Sequence, residues 1–275
     1  MPNILQRHWH TSVRQLTDDM LEAQTIYCGT DCEAGAIIKV AADSFKIIDA
    51  IFESYSPPVS TTKIAGLLGE EAYFNSGPVL KKAVGSWGEF PRSLFAETIR
   101  GIIQAETFIW EKRGYSSSAA YNDFWDKFYL GSCHYYSNLD QITQKWDEYV
   151  SYSRSTNLFN RFKQQSVDLL EEGNGYIVNV KLSDSFHEMN LDLEVNTQYQ
   201  LVKASGAILR APDPICFETT KLINSLPGQF INRLNKKQLA KLMGLGNGCV
   251  HLIDMAYDGL VSMQIIEAGV VQFNR

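Results

Sequence analysis

An α+β protein built from two similar halves, each an antiparallel strand meander followed by helices, is what this sequence predicts. Three observations carry that reading. Leu67 and Gly69 are followed by Leu80, Ala83 and Gly85, and at one constant offset Leu226 and Gly228 are followed by Leu239, Leu242 and Gly244. Each block follows a strand-like run ending in prolines. Each precedes an apolar helix, with Leu94 and Gly101 in one copy and Leu252 and Gly259 in the other. Finally, Met189 to Val195 alternates strictly, with Met189, Leu191, Leu193 and Val195 on one face, as a half-buried strand must. Self-similarity at a fixed spacing marks a fold assembled from repeated units, with a seam between them.

The elements follow in order. Residues 36–40 and 45–52 are rich in β-branched and aromatic side chains and read as a hairpin turning at 41–44. Pro57-Pro58 ends it. A helix is expected over 78–84 with Gly85 at its end, and a longer one over 91–112, with proline near its first turn and Gly114 past its last. Residues 119–128 and 139–152 read as further helices, separated by an aromatic loop, 131–138, that opens on a glycine. Strands are expected over 176–182, 189–195 and 199–209. Pro212-Asp213-Pro214 then breaks the sheet, and Cys216 falls in the first turn of the next helix. Helices over 236–243 and 249–265 complete the chain. The domain boundaries expected are an N-terminal α+β half at 1–114, a helical connector at 115–165 and a C-terminal α+β half at 166–275.

Composition sets limits. With 275 residues, 45% hydrophobic and 20% charged, the chain can bury an ordinary core. A net charge of −6 without a dense Lys/Arg cluster argues against a nucleic-acid partner held by its phosphates. No apolar run approaches the roughly 18 residues of a membrane span. The polar N-terminus lacks a signal-peptide core. Five cysteines without the spacing of a disulfide scaffold suit a cytoplasmic protein with reduced thiols.

Chemistry concentrates where the halves differ. The second half carries His187, Cys216, Cys249 and His251, and Cys216, Cys249 and His251 stand where the first half has neither cysteine nor histidine. Thiolates and imidazoles are zinc ligands, and helix N-termini favour thiolates. Three readings compete: a zinc or iron site, a catalytic thiol with a histidine, and small buried thiols with no chemistry. Glu97, Arg100, Gln104 and Thr107 form one stripe on an otherwise apolar helix, either lining a pocket or facing solvent. Glu106 lies off that stripe and is expected to be exposed. Cys133 and His134, with Tyr135 and Tyr136, occupy the loop after Gly131 and either line a pocket or plug the seam. Glu97, Arg100, Gln104, Cys133 and His134 are therefore the catalytic candidates. The pairs Cys28/Cys32 and His8/His10 are weaker, each without a partner set in its half.

Residues 176–264 carry His187-Glu188-Met189, Pro214-Ile215-Cys216, Leu226-Pro227-Gly228 and Gly248-Cys249-Val250-His251-Leu252. On these motifs the C-terminal third resembles an uncharacterised bacterial domain-of-unknown-function family, which brings no activity with it. The order of strands, a cysteine at a helix start, Leu-x-Gly and Cys249-Val250-His251-Leu252 is also similar to NifU-type iron–sulfur scaffold proteins. That resemblance implies a metal or cluster held by strand-end loops and a helix N-terminus. The expectation is a cytosolic enzyme or ligand-binding protein acting on a small molecule at the seam, assisted by zinc or iron. Its rivals are a non-catalytic metal or iron–sulfur accessory protein and an assembly protein with inert buried thiols; on any of these readings a homodimer is the oligomer expected.

Overall fold

A computed structural model describes residues 1–150 and 152–269. The fold is α+β: antiparallel strands, with helices packed on them. The chain divides into two compact units, Trp9–Tyr121 with Val150–Phe162, and Met1–His8 with Asn122–Tyr149 and Lys163–Arg275. Two long strands, β1 (Asn3–Thr17) and β6 (Asn157–Leu169), contribute residues to both.

In the first unit the strands are β1, β2 (Met20–Gly29), β3 (Glu33–Ala41), β4 (Ile47–Ser54), β5 (Ser60–Lys63) and the start of β6, hydrogen-bonded in the order β5-β4-β3-β2-β1-β6. Helices α1 (Ser76–Val84) and α2 (Glu89–Ala105) follow the meander. The inward side chains alternate along β2 and β3, with Leu21, Ala23, Ala36, Ile38 and Val40 buried. In the second unit the order is β1-β6-β7-β8-β9, with β7 (Gly175–Asp184), β8 (Glu188–Asn196) and β9 (Leu201–Arg210). A run of 3-10 turns, Pro214–Ser225, then leads to α6 (Lys236–Leu242) and α7 (Val250–Glu267). Between the meanders lie α3 (Ser118–Phe128) and two single turns, α4 (His134–Ser137) and α5 (Trp146–Tyr149).

The same hydrogen-bond scheme joins the last long strand of each meander to the chain that follows it. In the first unit Ile47 N donates to Glu70 O, Gly69 N to Ile47 O, and Ala72 N to Phe45 O. In the second, Leu201 N donates to Gln229 O, Gly228 N to Leu201 O, and Ile231 N to Tyr199 O. Gly69 and Gly228 both take left-handed backbone, at φ 80° and 89°, which a side chain would penalise. Leu67 and Leu226, two residues before, are both fully buried. The later pair differs, since Gly85 is helical at φ −65° and Gly244 left-handed at 89°.

Helix α7 sets the geometry of the second unit. Leu252, Ile253, Met255, Ala256, Leu260, Met263 and Ile266 are buried on a broad face, the large aliphatic ones each contributing about 1.5–3 kcal/mol of apolar burial at most. At Gly259 a side chain would meet Leu193, Val180 and Val178, so the helix lies close across β7 and β8. Its first turn thereby reaches the β7–β8 connection.

Several sequence expectations give way. The helix expected to reach residue 112 ends at Ala105, and the chain tightens into a 3-10 turn, Glu106–Phe108. That change of pitch swings Glu106 inward. It is fully buried, where exposure was expected, and bonds Arg113 at 2.8 Å and Tyr73 at 2.9 Å. No continuous helix spans 139–149, because the amides of Thr143 and Gln144 donate to the Asp213 carboxylate at 2.7 and 2.9 Å instead of along a helix. The connector expected to be helical to 165 contains the start of β6.

Candidate metal centre

The β7–β8 turn is built around one carboxylate. Asp184, the last residue of β7, donates its amide to His187 O at 2.8 Å and closes a four-residue turn. Its Oδ1 accepts the amides of Phe186 at 2.8 Å and His187 at 2.7 Å, an Asx-type arrangement that aspartate favours. The same oxygen lies 3.2 Å from His187 Nδ1.

His251, in the first turn of α7, meets this turn. Its ring centroid is 4.1 Å from that of His187, with the planes tilted by 38°. One donor atom from each of Asp184, His187 and His251 lies within 4.8 Å of the other two. Asp184 is buried and both histidines are half-buried, so the cluster sits at the edge of the unit's interior. Two imidazoles and a carboxylate are a donor set that suits zinc or ferrous iron, and three protein ligands leave positions open on the ion.

The turn's carbonyls are also held. Arg210, the last residue of β9, donates to Asp184 O at 2.6 Å, Ser185 O at 3.0 Å and His187 O at 3.2 Å. Tyr149 Oη donates to Phe186 O at 2.5 Å, and Trp146 packs edge-on against the Phe186 ring at 4.7 Å.

Of the four expected metal ligands, the structure brings His187 and His251 together. Among the described residues Cys216 and Cys249 do not join the group that they form with Asp184. The two thiols have surroundings of another kind. Burial, with Cys249 and Cys133 nearby, pushes Cys216 up to about 12. Burial also pushes Cys249, the N-cap of α7, up to about 11, although the amides of His251 and Leu252 pull the other way. Both are protonated near neutral pH, which disfavours a free thiolate nucleophile.

The other candidates fall in two places, Glu97, Arg100 and Gln104 on α2, and Cys133 and His134 beside Cys216 and Cys249. Glu97 is buried and paired with Arg161 at 3.2 Å and with Arg100 at 3.3 Å, while Arg100 is substantially exposed and Gln104 half-buried. Burial raises the Cys133 thiol. His134 donates its amide to Gly248 O at 2.9 Å and holds Nε2 3.5 Å from Glu218. Asp184 is the residue that sequence reasoning missed. Its signal was present as an aspartate three residues before a histidine at a strand end, a turn signature rather than a metal motif.

Residues 163–262, a span that includes Asp184, His187, Arg210 and His251, match the family model described as Protein of unknown function (DUF2889). No curated protein matches the chain. No helix among the described residues is long and apolar enough to cross a membrane.

Proposed function

We propose that the second unit binds one divalent transition-metal ion, zinc or iron, through His187, His251 and Asp184. There the ion acts as a Lewis acid on a small molecule. The observation that supports this most is the convergence of three donor atoms within 4.8 Å, drawn from a strand turn and a helix start far apart in sequence. A site with three protein ligands keeps a position for water or substrate, the pattern of catalytic rather than structural zinc. In this reading the protein is built from two pseudo-repeats, of which, among the described residues, the second carries the donor set, and the matched bonds around Gly69 and Gly228 support it. The cytoplasmic setting, with thiols reduced, completes it.

The rival reading, a non-catalytic metal or iron–sulfur accessory protein, would place metal on the thiols. Elemental analysis of the protein purified without chelator separates the two. The expected result is one equivalent of zinc or iron per chain, lost in His187→Ala and His251→Ala and kept in Cys216→Ser and Cys249→Ser. Metal lost only in the cysteine variants, or a metal-free chain that takes up none on reconstitution, contradicts the proposal.

A further inference from the structure

Resting on that metal reading, we infer that Arg210 is a positioning residue for the ion, assisted by Tyr149. The turn 184–187 has four backbone carbonyls, and all are occupied from outside β7 and β8. Arg210 takes those of Asp184, Ser185 and His187, and Tyr149 takes that of Phe186. A planar guanidinium can address several carbonyls at once, as a lysine ammonium on its flexible stem cannot with the same fixed geometry. Register carries the group to its place, because Arg210 pairs with Glu188 across a bulge at the end of β9.

The consequence reaches the imidazole directly. His187 hangs from a turn whose amides are fixed by Asp184 Oδ1 and whose carbonyls are fixed by Arg210. Its Nδ1 lies 3.2 Å from the same Asp184 oxygen. Removing the guanidinium leaves the donor atoms present but frees the turn that aims one of them. Groups that orient metal ligands from behind typically change metal affinity 10–100-fold when lost.

Cobalt(II) titration of the full chain, read by its visible d–d absorption, tests this. Wild type should saturate at one equivalent. Arg210→Lys should give bands of the same shape with a dissociation constant raised roughly 10-fold or more. Tyr149→Phe, which removes a single hydroxyl, should raise it by a smaller factor. Leu239→Ala, a buried substitution on α6, should lower the melting temperature and leave cobalt affinity unchanged. Wild type that binds no cobalt overturns the metal reading and this inference with it. Wild type that binds, with Arg210→Lys equally tight, overturns this inference alone. So does a loss in Leu239→Ala as large as in Arg210→Lys, since affinity would then track overall stability.

Discussion

Each unit turns between two adjacent strands in the same way and fills the turn with opposite chemistry. In the first, Gly29 N donates to Cys32 O at 2.9 Å between β2 and β3; in the second, Asp184 N donates to His187 O at 2.8 Å between β7 and β8. Beside the first turn lies Tyr27, fully buried, with Trp9 and Phe90 of α2 each 4.9 Å from its ring. A side chain at Gly29 would collide with Tyr27 Oη and Asp31 Oδ1, both 2.3 Å from where its Cβ would be. Beside the second turn lie Asp184, His187 and, from α7, His251. One backbone solution is thus spent on aromatic packing in one unit and on donor atoms in the other.

That contrast breaks first at stability. Tyr27→Ala should cost about 3–5 kcal/mol in urea unfolding, since it removes a large buried ring. His187→Ala should cost no more than about 1–2 kcal/mol, the scale of its hydrogen bond to Asp184. Equal losses would mean that both turns are packing sites. A second arm concerns Glu106, the buried carboxylate of the first unit. Glu106→Gln should destabilise by about 1–3 kcal/mol, because Arg113, only 13% exposed, loses its nearest carboxylate and keeps the longer ion pair to Glu71 at 3.7 Å.

The reading of the sequence succeeded where one face was uniformly apolar. The alternation of β8 was visible for that reason, and the hairpin of β3 and β4 by its β-branched and aromatic residues. Strands β1 and β6 were not. The inward face of β1 runs Leu5, Arg7, Trp9, Thr11, Val13, and its two polar members are paired inside each unit, Arg7 with Gln165 and Thr11 with Thr25. Likewise β6 buries Arg161 and Gln165. Patterns of period two disappear when the core satisfies polar groups internally. At the site, His187 and His251 were legible as asymmetry between the halves. Asp184 and Arg210 were not, since both act by fixing a backbone turn that only the fold reveals.

Smaller effects sharpen the comparison. Burial raises the Asp213 carboxyl, but the amides of Ile215, Thr143 and Gln144 and the Thr143 hydroxyl outweigh it and hold the group below its usual value. The stability this contributes is present above the unfolded aspartate pKa of about 3.9 and is lost as pH falls through the lower folded value. Asp213→Asn should therefore cost about 1–3 kcal/mol at pH 7. The gap to wild type should narrow below about pH 4 in acid titrations of unfolding. A gap that is constant with pH contradicts the assignment. Least in energy is thiol labelling. At pH 8 exposed Cys28 should alkylate first, and Cys216 and Cys249 should stay largely unlabelled until unfolding.

The central claim is the position of the metal, and anomalous diffraction at the metal absorption edge from reconstituted crystals tests it most directly. The account predicts one strong peak about 2.0–2.2 Å from donor atoms of His187 and His251, within the turn held by Arg210, and none beside the turn at 29–32. A peak on Cys216 and Cys249, with the two imidazole centroids still 4.1 Å apart, would contradict it.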